Sequence, residues 1–235
     1  MTDHCSHGLS RRHFLTAATL GSVALMFHGM DLAMASDHPS GITPDEAMKR
    51  LKEGNERFLN GKTSRPHVTK EWLLETYNHG QHPFATVIAC SDSRVPVEEL
   101  FDQGVGDIFT IRVAGNVIHT DETGSTEYGA AHLGTPLVLV MGHTKCGAVT
   151  AVVKGEKLGG SIPKMVDVIA PAVARSKAKG LTGDALIADA IRENVKESIA
   201  GLLKSSEEIS ELVRQGKVKI AGALYHIENG QVEWL

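Results

Sequence analysis

Three continuous apolar runs, separated by segments of helical length, place the strongest constraint on how this chain folds. The runs are FATVIAC at 84–90, DIFTIRV at 107–113 and PLVLVMG at 136–142. A strand that is apolar on both faces must be covered on both faces, as strands inside a parallel sheet are. The runs therefore predict an α/β fold with a mostly parallel β-sheet flanked by helices. Ligands of such sheets bind at the carboxyl ends of the strands.

Helical periodicity and capping signals predict helices in the segments around these runs. Thr43 and Pro44 have the N-cap and first-turn pattern of a helix over 45–61, and Gly80 is placed to end a short helix over 71–80. Further helices are predicted over 124–134, over 146–155 and along an apolar face formed by Ile187, Ile191, Val195, Ile199 and Leu203.

The C-terminal part of the chain has signals for one more helix and a hairpin. Ser205 and Glu208 predict a capping box for a helix that ends at Gly216. The run at 218–227 predicts a last strand, and Asn229-Gly230 predicts a hairpin turn into the final residues QVEWL.

The composition allows one sizeable core and favours neither a nucleic-acid partner nor a disulfide framework. The chain has 235 residues, 42% hydrophobic content and a formal net charge of −4 without a basic stripe, so nucleic acid is not an expected partner. Three cysteines, of which Cys5 lies in the N-terminal leader, are too few and odd in number for a disulfide framework. A single domain over 36–235 is expected once the leader, residues 1–35, is removed.

The leader has the pattern of an export signal. Arg11-Arg12 precedes a moderately apolar run, and Ala33-Met34-Ala35 is a small-x-small cleavage site that gives a mature start near Ser36. The alternative is an uncleaved membrane anchor, but His28 and Asp31 interrupt the run well short of the ~20 apolar residues that a span needs. The leader therefore resembles a twin-arginine signal, which predicts a periplasmic or otherwise exported protein with no stable membrane span after processing.

Two cysteines and a histidine follow two of the apolar runs. Cys90 ends the first run, and His143 and Cys146 come directly after the third. Because the carboxyl ends of parallel strands can be neighbours, we expect these three side chains to lie together. A lone cysteine is usually a small core residue, but Cys2His is a zinc ligand set whose open fourth position is typical of catalytic sites. Cys146 also begins a predicted helix, where the dipole favours a thiolate.

Asp92 and Arg94 follow Cys90 at alternate positions. Asp92 is expected near the metal, either as a fourth ligand or as an acceptor of a hydrogen bond from water there. Arg94 can hold that carboxylate with a bidentate fork and keep it ionised. The plainer interpretation is a surface ion pair of little energetic value. Such a pair does not normally follow directly from a buried strand and a proposed ligand, so we predict that both residues are catalytic.

The stretches CSDSR at 90–94 and HTKCG at 143–147 together resemble the signature of β-class carbonic anhydrases. The likeness extends over nearly the whole chain beyond the leader, and the pair of motifs is highly specific. It implies a β-carbonic anhydrase-like fold and the reversible hydration of carbon dioxide to bicarbonate and a proton. It also implies one Zn2+ per chain on Cys90, His143 and Cys146, and a homodimer that is commonly paired into a homotetramer.

The resemblance assigns substrate and proton-transfer roles as well. Gln81 and the amide of Gly147 match groups that contact substrate, and Phe109 and Tyr128 match apolar walls of its pocket. Tyr128 and His132 lie four apart on one helical face, and their counterparts are proposed to carry the proton out. The residues alone leave plainer alternatives open: Gln81 as an ordinary loop residue, Phe109 and Tyr128 as core residues, and His132 as a buried structural histidine.

The chain departs from the family pattern at Val87. A subgroup of the family binds bicarbonate at an inhibitory pocket built around a tryptophan three residues before the first cysteine, and Val87 occupies that position. Arg112 and Tyr225 match the other members of the pocket. The resemblance therefore implies that this inhibitory pocket is poorly formed.

Two other functions are compatible with the same residues. The fold and zinc set also resemble hydrolases of carbonyl sulfide or carbon disulfide, and access to the pocket decides between these substrates and carbon dioxide. From a different class, the chain would be a non-catalytic zinc or bicarbonate binder. The presence of both Asp92 and Arg94 disfavours this second alternative, because a binder needs neither.

Overall fold

The computed structural model of this chain describes residues 41–235, and the predicted export signal with its boundary at residue 35 lies outside them. Within the described range, five strands form one sheet: β1 (Ala85–Ala89), β2 (Ile108–Arg112), β3 (Leu137–His143), β4 (Lys219–Tyr225) and β5 (Val232–Trp234). Their order across the sheet is β2-β1-β3-β4-β5. The apolar runs predicted each of the first three strands to within one residue at either end.

Strand β1 occupies the middle of the parallel part of the sheet. Its last residue, Ala89, is paired with Arg112 of β2 on one side and with Met141 of β3 on the other. Strand β4 runs parallel to β3, and only β5 is antiparallel to its neighbour, which forms the predicted hairpin. The α/β fold with a mostly parallel sheet is confirmed. Since β1 and β3 run in the same direction, Cys90 and the end of β3 lie at one edge.

Helices cover both faces of the sheet. The helices within residues 41–235 are α1 (Pro44–Leu59), α2 (Lys70–His79), α3 (Val97–Leu100), α4 (Thr120–Glu127), α5 (Gly147–Lys154), α6 (Ile162–Val166), α7 (Ala170–Ala178), α8 (Gly183–Ser205) and α9 (Glu207–Arg214). Short 3-10 turns lie at Ala114–Asn116 and Asp167–Ile169, and a π-helical turn lies at Tyr128–His132. None of the helices in the described part of the chain is long and apolar enough to cross a membrane.

Successive residues of β1 belong to different cores. Val87 belongs to a buried cluster with Leu51 of α1, whereas Ile88 belongs to a cluster with Val195 of α8. The whole of β1 is therefore buried. This burial on both faces is the physical reason for the continuous apolar run in the sequence.

Two helix boundaries differ from the sequence prediction. The N-cap of α9 is Ser206 and not Ser205, because the Ser206 hydroxyl accepts a hydrogen bond from the amide of Ile209 at 3.1 Å. The helix expected over 124–134 begins earlier, since the carboxylate of Glu122 accepts a hydrogen bond from the amide of His119 at 2.9 Å and caps the first turn of α4. Its C-terminal end is the π-helical turn.

Candidate active site and metal centre

Cys90, His143 and Cys146 gather at the carboxyl edge of the sheet. Cys90 follows the last residue of β1, His143 is the last residue of β3, and Cys146 is the N-cap of α5. Their ligand atoms all lie within 4.8 Å of one another, and all three residues are buried. The parallel pairing of β1 with β3 produces this cluster, because it places the two strand ends side by side.

The imidazole of His143 has one ring nitrogen engaged and one directed to the cluster. Its Nδ1 lies 2.9 Å from the carbonyl oxygen of Thr144, which accepts the proton of that nitrogen and fixes the tautomer. Its Nε2 is buried and has no hydrogen-bond partner among the described residues. A buried nitrogen without a partner is costly, and a metal ion coordinated at Nε2 would remove that cost.

The sulfur of Cys90 is surrounded by hydrogen-bond donors. It accepts the amide of Gly115 at 3.2 Å and that of Asp92 at 3.4 Å. The hydrogen bond shared with Cys146 is the largest of the effects that lower the pKa of Cys90 to about 4; burial opposes it, and the two amides act in the same direction as Cys146. The same shared hydrogen bond and burial raise the pKa of Cys146. The shared hydrogen bond therefore favours the thiolate at Cys90 and the thiol at Cys146. A divalent cation bound here would favour the thiolate form of both.

This donor set fits zinc. Two sulfurs and one imidazole nitrogen with a fixed tautomer are ligands that zinc prefers, and three protein ligands leave one tetrahedral position for water or substrate. Cys90 and Cys146 are both free of disulfide bonds, so both sulfurs can bind a metal.

Asp92 and Arg94 form an ion pair beside the cluster. Arg94 Nε donates to Asp92 Oδ1 at 2.9 Å, and its Nη2 donates to Oδ2 at 2.7 Å. These hydrogen bonds hold the pKa of the Asp92 carboxyl well below its usual range, although partial burial opposes them. Oδ2 of Asp92 also lies 3.9 Å from Nε2 of His143. The carboxylate is therefore ionised and next to the open side of the ligand set.

Arg112 holds the loop that carries this pair, a role that the sequence analysis did not identify. Its Nη2 donates to the carbonyl oxygen of Asp92 at 2.7 Å, and its Nε donates to that of Cys90 at 3.2 Å. The sequence analysis singled out Arg112 for its match to the inhibitory pocket, and the local signal for its role here is a positive charge near the end of the run over 107–113. Its significance depends on β2 being the neighbour of β1, which local sequence does not encode.

Within one chain, only some of the predicted substrate residues lie near the three candidate metal ligands. Gly147 does, because it is the first residue of α5 and directly follows Cys146. Phe109 is paired with Thr86, four residues before Cys90, which is roughly 13 Å away along the strand at about 3.3 Å per residue. Gln81 is exposed and precedes β1, at the opposite end of the sheet.

Tyr128 and His132 lie in the π-helical turn near Phe109 and not beside the metal ligands. The Tyr128 ring centroid lies 5.9 Å from that of Phe109 and 5.7 Å from that of His132. Tyr128 and His132 are both exposed, so neither is a core residue. Their roles in substrate binding and proton transfer stay predictions.

Comparison with known proteins agrees with this geometry. The family model described as carbonic anhydrase matches residues 85–232, which include strands β1 to β4 and all three candidate ligands. The chain belongs to the carbonic anhydrase family. It is 38% identical over 192 residues to carbonic anhydrase 2 of Mycobacterium tuberculosis, covering 80% of this chain and 91% of that protein. It is 37% identical over 194 residues to the carbonic anhydrase of Mycolicibacterium smegmatis, covering 81% and 92%.

Solved structures place the fold in the β class of that family. The β-carbonic anhydrase CafA of Aspergillus fumigatus superposes with a TM-score of 0.65 at 29% identity, covering 81% of this chain and 89% of that one. The family resemblance expected from the two sequence motifs is therefore confirmed.

Proposed function

We infer that this chain is a zinc-dependent enzyme, a carbonate dehydratase that reversibly hydrates carbon dioxide to bicarbonate and a proton. The observation that carries this inference is the position of an ionised Asp92 next to three zinc-type ligands, with Oδ2 3.9 Å from Nε2 of His143. A purely structural zinc site has four protein ligands, whereas the described residues supply Cys90, His143 and Cys146.

A zinc ion held by these three residues would supply a Lewis acid that lowers the pKa of water toward about 7. The chain's own groups then orient the reactants. Asp92 is an acceptor only, because it is ionised, and it can orient the attacking water through a hydrogen bond. Arg94 donates one hydrogen bond to each carboxylate oxygen of Asp92 and so fixes the orientation of the carboxylate. The amide of Gly147, in the first turn of α5, is available to bind an oxygen of the product.

We propose further that the working enzyme is a homodimer, or a tetramer built from dimers. Helix α2 has no buried residue, and it exposes Leu73, Leu74 and Tyr77, the last at 84% of its surface. Exposed apolar surface of this kind is typical of interfaces. Gln81, Phe109 and Tyr128 lie away from the ligand cluster of their own chain, so a second copy is the natural source of these groups for each site.

We also propose that the protein is exported through the twin-arginine route. The proposal depends on Arg11-Arg12 and Ala33-Met34-Ala35. That route carries folded proteins, which suits an enzyme that takes up its metal before crossing the membrane.

A stopped-flow assay with a pH indicator on purified protein tests the function, using carbon dioxide, carbonyl sulfide and carbon disulfide as competing substrates. We expect carbon dioxide to be hydrated fastest. Turnover of a sulfur substrate without carbon dioxide hydration would show that the protein is the alternative hydrolase. Bound zinc without turnover of any of the three substrates would show that it is a non-catalytic binder.

Elemental analysis of three variants tests the ligand set. Cys90→Ser, His143→Ala and Cys146→Ser should each lose most of the zinc that the wild-type protein holds at one per chain. Cys5→Ser is the control and should retain it, since that cysteine lies in the leader. Full zinc in any of the first three variants would remove that residue from the ligand set.

A further inference from the structure

The turn after β2 provides a hydrogen bond to the sulfur of Cys90. This 3-10 turn, Ala114–Asn116, brings the amide of Gly115 to 3.2 Å from Cys90 Sγ. An amide that donates to a thiolate ligand draws electron density from the sulfur. Such outer partners orient metal ligands and tune the metal they hold.

Local preferences do not favour the conformation of this turn. Gly115 has φ 80° and ψ 13°, and Asn116 has φ 45°, so two successive residues lie in the left-handed region. A Cβ atom at Gly115 would lie 3.1 Å from both the Cβ of Ala148 and the Cδ1 of Ile169. Contacts from elsewhere in the fold must therefore hold the turn in place.

Helix α8 supplies these contacts through two polar residues on its buried side. Asn194 Nδ2 donates to the carbonyl oxygen of Gly115 at 2.8 Å, across 79 residues of sequence. One helical turn later, Ser198 Oγ donates to the carbonyl oxygen of Asn116 at 2.9 Å. Asn194 is only 1% exposed. A buried side-chain amide is destabilising unless it is hydrogen-bonded. The carbonyl oxygen of Gly115 accepts the hydrogen bond that the Asn194 amide requires.

We propose that Asn194 is a positioning residue for the metal centre, acting by holding the Gly115 amide against the sulfur of Cys90. The Asn194 side chain fixes the Gly115 carbonyl, and the backbone of Gly115 couples that carbonyl to its own amide. Without Asn194 the turn relaxes away from its left-handed conformation and the amide leaves the sulfur. Cys90 then becomes a stronger electron donor and a less well oriented ligand. This proposal rests on the metal site inferred above.

The test uses cobalt(II) substituted into the protein, because its thiolate charge-transfer absorption reports the electron density on the sulfur ligands. In Asn194→Ala this band should move to lower energy, and zinc affinity measured by competition with a chelator should fall about tenfold or more. Gly115→Ala disturbs the same amide directly and should move the band in the same direction. The double variant should shift it no further than the larger single change.

Thr135→Val is the matched control. It removes a buried hydrogen bond, 2.7 Å between the hydroxyls of Thr86 and Thr135, at the opposite end of the sheet. This variant should lose stability with an unchanged cobalt spectrum and unchanged zinc affinity. If Asn194→Ala does not fold, Asn194→Ser takes its place, since its shorter hydroxyl does not span the same distance.

The outcomes separate this proposal from the proposed function. A wild-type protein that binds neither zinc nor cobalt would overturn both. A wild-type protein that binds metal and hydrates carbon dioxide, with a wild-type spectrum and zinc affinity in the folded Asn194 variant, would overturn the role of Asn194 alone. A shift of the same size in Thr135→Val would show a general loss of stability and would also overturn it.

Discussion

The carboxylate of Asp92 and the guanidinium of Arg94 make two parallel hydrogen bonds, at 2.9 and 2.7 Å, and the backbone amide of Arg94 adds a third to Asp92 Oδ1 at 2.9 Å. All three lie within one tight turn after β1. The pair leaves Asp92 ionised and next to Nε2 of His143. Since Asp92 is not one of the three proposed metal ligands, we expect the role of the Asp92–Arg94 pair to be separable from metal binding.

Asp92→Ala should keep its zinc and lose activity. The three ligands remain in this variant, but the acceptor that orients the attacking water is gone. A positioned acid–base partner typically contributes about 10²–10⁴-fold, and we expect a loss of turnover in the lower part of that range. Stopped-flow carbon dioxide hydration, normalised to zinc content, measures it. Undiminished turnover at full zinc occupancy would leave the pair with a structural role only.

Bicarbonate should not inhibit this enzyme cooperatively. Val87 is fully buried in the core where a tryptophan would open the inhibitory pocket, and Arg112 is already bonded to the carbonyl oxygens of Cys90 and Asp92. A ligand shifts an equilibrium only by its differential affinity for the two states. Crystals grown near neutral pH with bicarbonate should show Asp92 still paired with Arg94. Asp92 on the metal, with bicarbonate beside Arg112, contradicts this prediction.

Charges on the exposed face of α2 should separate the subunits. Leu74→Asp together with Tyr77→Asp places two carboxylates on a face that we expect to be buried between copies. Light scattering after size-exclusion chromatography should show a monomer with lower activity than the wild type. Ile162→Asp, at an exposed apolar residue of α6, is the control and should leave the mass unchanged. A double variant that retains its wild-type mass would exclude α2 from the interface.

The stability of the fold should depend on pH through Asp102. Burial raises the pKa of this 1%-exposed carboxyl, but the amides of Ser64 and Arg65 and the guanidinium of Arg57 lower it to about 2. A depressed pKa stabilises the folded state above the unfolded value near 4, and this contribution is lost as the pH falls through about 2.

The measurement compares the free energy of unfolding of the wild type with that of Asp102→Asn. The difference between the two should be larger at pH 6 than at pH 2 by roughly 2 kcal/mol. Asp45→Asn, which alters an exposed ion pair with Lys219, should show little change. A pH-independent difference for Asp102→Asn would mean that this carboxylate does not contribute through its charge.

Export should depend on the paired arginines of the leader. Changing Arg11 and Arg12 to lysine should trap the full-length protein in the cytoplasm, since the twin-arginine route requires that pair. Cell fractionation and immunoblotting measure the distribution, with Lys49→Arg in α1 as a control outside the leader. Normal levels of mature protein in the periplasm of the double variant would show that the signal assignment is wrong.

The sequence by itself determined the strands and the chemistry of the site. Burial on both faces leaves a continuous apolar run, so β1, β2 and β3 were predictable to within one residue at either end. Cys90, Asp92 and Arg94 are neighbours in the chain, and His143 lies three residues before Cys146. These local spacings are sufficient to indicate zinc ligands and an ion pair without knowledge of the fold.

Only the tertiary structure decided which distant groups meet. The order β2-β1-β3 brings Cys90 next to His143, gives Arg112 its two carbonyl partners and places Phe109 and Tyr128 away from the metal ligands. Asn194 reaches Gly115 across 79 residues, and periodicity within α8 shows only that position 194 faces inward. The physical reason is that local patterns encode burial and backbone conformation, whereas contacts between elements depend on how strands are ordered and packed.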